Sequence, residues 1–285
     1  MQLEMALGQL RCQVKACEVM FWGKICGLNQ DYYIAVAVTY ANQYEFPLKQ
    51  FYYTLSNTPA FAFKEMPTLG LPNAEQDLAL DVDSAFFKGE PASLLGGGPV
   101  EGEEEEEAPK EEDPEEEEGD EKKAKDSDES EEEEIKIPKK KLTELDRLAT
   151  VVLAIENDCQ LCPVGAFRMT PEHQLRRVAA FCGLRGEEAC ELKNYMHFRN
   201  AQTQEKKQNL DKPDAPFQAD FLESIDCDMP KGCWNIQSSE RGETALIRSL
   251  NWPGYQFFHR KSSSMFGGMY IGDGLKSQEV HFIVQ

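Results

Sequence analysis

Two cysteines three residues apart, Cys159 and Cys162, are the first residues in this chain whose type and spacing could do chemistry. A Cys-x-x-Cys pair can supply half of a zinc site. Zinc prefers four ligands in a tetrahedron, so a second pair or a spaced pair of histidines should accompany it. The remaining cysteines stand five or more positions apart, and His173, His197, His259 and His281 show no ligand spacing. A redox dithiol would need a thioredoxin-like βαβ context, which the flanking sequence lacks. Buried, unreactive thiols are the expectation, with a metal or redox protein as the alternative. No Gly-x-Ser-x-Gly elbow, phosphate-binding Gly-x-x-x-x-Gly-Lys-Ser/Thr loop or Gly-x-Gly-x-x-Gly fingerprint occurs. Gly267-Gly268 and Gly272-x-Gly274 are expected at turns between strands. The residues therefore predict no catalysis, no cofactor and no metal site.

Aromatic residues around turns form the second candidate group. Phe21-Trp22-Gly23-Lys24 joins two large rings to a glycine, and Trp252-Pro253-Gly254-Tyr255 sets two rings around a tight turn. Met229-Pro230-Lys231-Gly232-Cys233-Trp234 repeats the arrangement before a strand. A tryptophan so placed either anchors a turn onto the core or makes a contact for a partner protein. Phe21, Trp22, Trp234, Trp252, Pro253, Gly254 and Tyr255 are the candidate interaction or core anchors.

The elements that must hold these residues follow from periodicity. Leu3, Leu7, Leu10, Val14, Cys17, Phe21 and Ile25 recur every three or four residues, which predicts a helix over 1–28 that stops near Gly27. Tyr32 to Tyr40 and Phe51 to Leu55 are rich in aromatic and β-branched residues and predict strands joined through Asn42, Gln43 and Pro47. Residues 59–99 carry loop composition, with one short helix near 74–87. Leu142, Leu145, Leu148, Val152 and Ile155 give the clearest amphipathic helix, with Thr143 and Asp146 as its capping pair. Two more helices are expected over 172–182 and 187–198, and a short one from Ala219 to Ile225. Trp234–Gln237, Thr244–Leu250, Tyr255–His259 and Gly268–Ile271 then read as short strands of an antiparallel meander. The fold class is α+β: an N-terminal helix with strands, an acidic disordered insertion, helices, and a C-terminal β meander.

Charge separates the insertion from the rest. The chain has 285 residues and a formal charge of −21. Residues 101–134 hold 22 acids and four bases, leaving 29 acids against 26 bases elsewhere. A near-neutral body argues against a nucleic-acid-binding face. The acidic tract lacks aromatics, cannot offset its chain entropy by burial, and is expected to be disordered. An acidic-tail role in histone or chaperone-type binding is a second alternative. The expected organisation is 1–99, an acidic loop over 100–138, and 139–285 as the second part of the same fold. No run approaches the ~18 apolar residues of a membrane helix. No signal-peptide pattern is seen, so nine cysteines, an odd number, are expected to be reduced thiols of an intracellular protein.

Several motifs in one order resemble the radial spoke head family. They begin with Phe21-Trp22-Gly23-Lys24-Ile25, Gly27-Leu28 and Asp31-Tyr32-Tyr33-Ile34-Ala35. After the acidic tract come Glu144 to Ile155, Pro163-x-Gly165-Ala166 and Tyr195-Met196-His197-Phe198-Arg199. Asp220 to Ser224, Asp228 to Gln237, Leu246 to Leu250, Trp252-Pro253-Gly254 and Tyr270-Ile271-Gly272-x-Gly274 complete the set. The likeness covers most of 18–60 and 142–285. It implies a non-enzymatic structural subunit of the spoke head, in the cytoskeleton of the cilium or flagellum, at the axoneme. The implied partners are larger radial spoke head paralogues of the protein 4 and 6 type and, indirectly, the central pair, with no nucleic acid and no membrane.

Overall fold

Thr143 starts the helix that organises the fold. Its side chain and that of Asp146 cap each other's backbone amides, so the first turn has its free N–H groups satisfied. Helix α2 then runs Glu144–Cys159. Leu148, Val152, Ile155 and Cys159 recur on one face and are buried against a sheet. Burying such a side chain contributes roughly 1.5–3 kcal/mol.

The computed structural model describes residues 2–40, 46–67, 85–95, 142–172, 174–210, 212 and 221–283. The acidic segment 100–138, His173, Ala219, Asp220 and all but the last three residues of the helix expected near 74–87 lie outside them. Strands β1 (Glu18–Ile25), β2 (Tyr32–Thr39), β3 (Leu48–Leu55) and β4 (Lys64–Glu65) form one antiparallel meander. Short strands β5 (Leu161–Pro163), β6 (Phe167–Met169), β7 (Leu175–Arg177) and β8 (Tyr195–His197) follow α2 and pair as β5–β8 and β6–β7. Helix α3 spans Gln204–Leu210. Strands β9 (Trp234–Ser238), β10 (Thr244–Ser249), β11 (Tyr255–Arg260) and β12 (Phe266–Gly272) make the C-terminal meander, and α4 (Val280–Ile283) closes the described chain. Both meanders belong to one eight-stranded sheet, ordered β4-β3-β2-β1-β12-β11-β10-β9. Among the described residues the β1–β12 contact is the one parallel pairing between strands of this sheet, so it is the seam between the two halves.

The expected α+β plan and the C-terminal meander are observed, the strand ends lying within two residues of their expected places. Four expectations fail. The first helix, α1, stops at Gln13, and Glu18–Ile25 is a strand. Cys17, Phe21 and Ile25 lie four apart, and a spacing of four fits two strand repeats as well as one helical turn. Residues 172–182 and 187–198 are not helices: they hold β7, two single 3₁₀ turns (Glu188–Cys190 and Leu192–Asn194) and β8. Gly183 and Gly186 adopt positive φ, and burial of Tyr195, Met196 and His197 overrides local helix preference there. The described part of 219–225 is a non-helical stretch leading into a 3₁₀ turn, Ile225–Cys227. Finally, Gly267, Gly268 and Gly272 lie within β12 rather than at turns. A Cβ on Gly268 would fall 2.3 Å from the Tyr255 hydroxyl, so glycine there makes room for a ring.

Candidate functional site

Helix α2 carries two acids in its last turn, Glu156 and Asp158. The negative end of the helix dipole disfavours carboxylates at that position, so they need donors or cations. The structure supplies both. Trp22 donates its indole N–H to Glu156 Oε2 at 2.8 Å, and Lys49 Nζ reaches Glu156 Oε1 at 2.5 Å. Trp252 donates its indole N–H to Asp158 Oδ2 at 3.0 Å, where Lys276 also arrives at 3.1 Å. The third tryptophan follows the same rule, since Trp234 donates to Asp228 Oδ2 at 2.7 Å. His197 Nε2 sits 2.8 Å from the same oxygen. Burial alone would raise the Asp228 carboxyl, but the hydrogen bonds from His197 and Trp234 outweigh it and hold that group below its ordinary range.

The other end of α2 is fixed as firmly. Glu144 is 3% exposed and accepts from the Tyr32 hydroxyl at 2.6 Å and from the backbone amides of Lys88, Gly89 and Glu90 at 2.8–3.0 Å. A buried carboxylate is tolerable only with such a set of donors. Both ends of the helix are thus tied to the sheet by charge-assisted bonds.

The thiols do the opposite of chemistry. Cys159 and Cys162 are both buried and belong to different packed clusters. Burial pushes Cys159 well above the ordinary thiol range and Cys162 up to about 12, so both stay protonated at neutral pH. Among the described residues, no three His, Cys, Asp or Glu side chains are grouped to hold a metal ion. His197 faces a polar cavity of about 240 Å³, bounded also by Asp158, Arg199, Asp228 and Lys276.

Of the residues that tie helix to sheet, Trp22, Tyr32, Glu144 and Trp252 lie within the sequence motifs. A family model described as a radial spokehead-like protein matches residues 1–173. The chain belongs to this radial spokehead-like family. It is 30% identical over 285 residues to the radial spoke head protein 9 homolog of Danio rerio, covering 99% of this chain and 90% of that protein. The homologs of Mus musculus and Homo sapiens are each 29% identical over 266 residues, covering 93% of this chain and 84% of theirs.

Within the radial spokehead-like chain, the expected anchors divide by burial. Trp22, Trp234, Trp252 and Tyr255 are buried, and Trp234 meets Tyr255 edge to face at 6.3 Å. Trp22 is the extra residue of a β-bulge between Phe21 and Gly23, and the bulge turns its ring toward Tyr270 and Phe51. Phe21 is half-buried, Pro253 is exposed, and Gly254 is half-buried with φ +103. A Cβ on Gly254 would stand 2.2 Å from the Ile271 carbonyl. Sequence reasoning missed the carboxylates Glu156, Asp158 and Asp228. The signal available was the pair of acids closing α2, against the dipole and without a basic residue in that turn.

Proposed function

We propose that this chain is a non-enzymatic structural subunit of the radial spoke head in the axoneme of motile cilia and flagella. In this reading it helps relay signals between the central pair and the dynein arms. The observation that carries the proposal is the end-to-end likeness to radial spoke head protein 9 homologs, 99% of this chain against 90% of the relative. The tryptophan–carboxylate ties support it, because transmitting a push calls for a helix that cannot shift on its sheet. The protonated thiols of Cys159 and Cys162 weigh against the metal or redox alternative. Trp22, Trp234, Trp252 and Tyr255 act in this reading as core anchors.

The proposed partners are the larger spoke-head paralogues of the protein 4 and 6 type. A permanent assembly has an apolar centre to its interface, so capture should survive salt that screens exposed charges beyond roughly 10 Å at about 0.1 M. The test is affinity capture of this chain from extracted axonemes in rising salt. Spoke-head subunits retained at high salt are expected. Recovery of nuclear partners, or loss of every partner at modest salt, would sink the proposal.

A further inference from the structure

Core packing uses two residues of the Trp252-Pro253-Gly254-Tyr255 turn and leaves two over. Trp252 and Tyr255 are buried, whereas Pro253 is exposed and Gly254 is half-buried. Pro253 and Gly254 instead help to bound a cavity of about 280 Å³. Arg248, Leu250, Gln256 and Val280 are among its other walls, so β10, β11 and the start of α4 all contribute. A cavity of ~150 Å³ already admits benzene, so this one has room for a ring with a short chain.

The walls are apolar with a single charge. Leu250, Pro253 and Val280 supply carbon surface, and Leu250 is 36% exposed. Arg248 is the one charged side chain among the described residues that line the cavity. It stands directly opposite Gln256 across the β10–β11 pair, and no carboxylate of the described residues reaches its guanidinium. Two acids of the segment that leads into α4, Asp273 and Glu279, do not line the cavity. Asp273 accepts from the Leu275 amide, and Lys276 of the same segment is held by Asp158. An apolar opening with a few convergent polar groups is the ordinary form of a small-ligand site. A guanidinium presents its N–H donors as a planar fork that matches a carboxylate.

We infer that this cavity binds an apolar carboxylate, whose hydrocarbon body lies against Leu250, Pro253 and Val280 and whose carboxylate accepts from Arg248 with Gln256 beside it. An exposed ion pair alone is worth little, so burial of the apolar body holds the ligand and the charge orients it. A free aliphatic or aromatic acid offers this chemistry, and so does the last residue of a polypeptide that ends in an apolar side chain. The site does not depend on the spoke-head reading, because every wall belongs to this chain.

The test is titration of the full-length chain with phenylbutyrate and, in parallel, with its neutral carboxamide, followed by backbone amide chemical shifts. The acid should move the amides of Leu250, Gly254 and Gln256 and bind about tenfold or more tightly than the carboxamide. Arg248→Gln should weaken the acid about tenfold and leave the carboxamide unchanged. Leu250→Glu sets an acid in the wall and should abolish binding of phenylbutyrate. Both substitutions alter exposed side chains, and should the first fail to fold, the second tests the same cavity. A hexapeptide ending in Phe, with a free or an amidated terminus, separates the two sources. Tighter binding of the free peptide than of phenylbutyrate assigns the site to a chain terminus, the reverse assigns it to a free acid, and either supports the cavity. Equal affinity for acid and carboxamide, unchanged affinity in Arg248→Gln, shifts confined to other parts of the chain, or no binding of either acid or peptide by folded protein would each overturn the inference. So would binding seen only after removal of residues 284 and 285, since the chain itself would then fill the cavity.

Discussion

The two meanders follow one antiparallel plan, yet they differ in how many faces are covered. In the N-terminal half, every residue from Ile34 to Val38 of β2 is buried. Ala35 and Ala37 pack with Leu10 of α1, while Ile34, Val36 and Val38 join the cluster that contains α2. In the C-terminal half, β11 alternates strictly: Tyr255, Phe257 and His259 are buried, and Gln256, Phe258 and Arg260 are exposed. A continuous apolar run thus reports two covered faces, and an alternating one reports a single cover. The comparison also makes the seam between the halves the place where the fold should be easiest to break.

Gly23 offers the sharpest way to break it. A Cβ there would lie 2.2 Å from the backbone oxygen of Tyr270, and backbone cannot yield as a flexible side chain can. Gly23→Ala is expected to cost more than about 4 kcal/mol, at the extreme of single substitutions. Denaturant unfolding measures it, and a variant with wild-type stability would show that the halves are not held by this close approach.

The next effect separates ring from indole N–H. Trp252→Ala removes a ring that is 3% exposed and should cost about 3–5 kcal/mol. Trp252→Phe keeps much of the packing but takes the donor from Asp158, and should cost about 1–3 kcal/mol. Thermal melts of the two should fall in that order. A stable Trp252→Ala that only lost partner binding would move this residue from core to interface.

A third prediction concerns the pH dependence of the C-terminal half. His259, on β11, is fully buried, and burial lowers its pKa below the ordinary histidine value of 6.5. The unfolded chain then binds the proton more readily than the folded one. Stability contributed by the neutral ring is present above about pH 6.5 and is lost as pH falls below it. Asp228 acts lower on the scale. Its folded carboxyl is held below 3.8, so its contribution is intact above that value and is lost on further acidification. His259→Phe should flatten the stability curve as pH falls below about 6.5. An unchanged slope would assign the acid sensitivity elsewhere.

What was legible in the sequence follows from the same contrast. The C-terminal strands were readable because alternation has one structural meaning and the glycines and Pro253 between them supply turns. Helix α2 was readable because its apolar positions and its capping pair agree. The strand β1 was not, because residues four apart satisfy both periods and only pairing with β2 and β12 decides between them. The segment 172–198 failed for a different reason. Its short strands and 3₁₀ turns are set by burial of Tyr195, Met196 and His197 under neighbours distant in sequence, which no local pattern records. At the site, the tryptophans were visible as residues too large to be incidental. Their carboxylate partners were less so: the two acids closing α2 against the dipole call for donors, but nothing local says that Glu156 meets an indole 134 residues away.

The smallest predicted effect tests whether the open face of the C-terminal half is open in the folded chain itself. Ile271 lies on the side of β12 opposite Tyr270 and is 50% exposed, next to Lys24 across the seam. Had a second helix covered this half as α1 covers the other, Ile271 would be packed like Ala35 or Ala37. Ile271→Thr keeps the β-branched shape that suits a strand and exchanges the ethyl branch for a hydroxyl. At an exposed position the change should alter stability by no more than about 0.5 kcal/mol. Denaturant midpoints at constant slope would measure it. A loss of about 2 kcal/mol or more would mean that Ile271 is buried in the folded chain, and the two halves would then be covered alike.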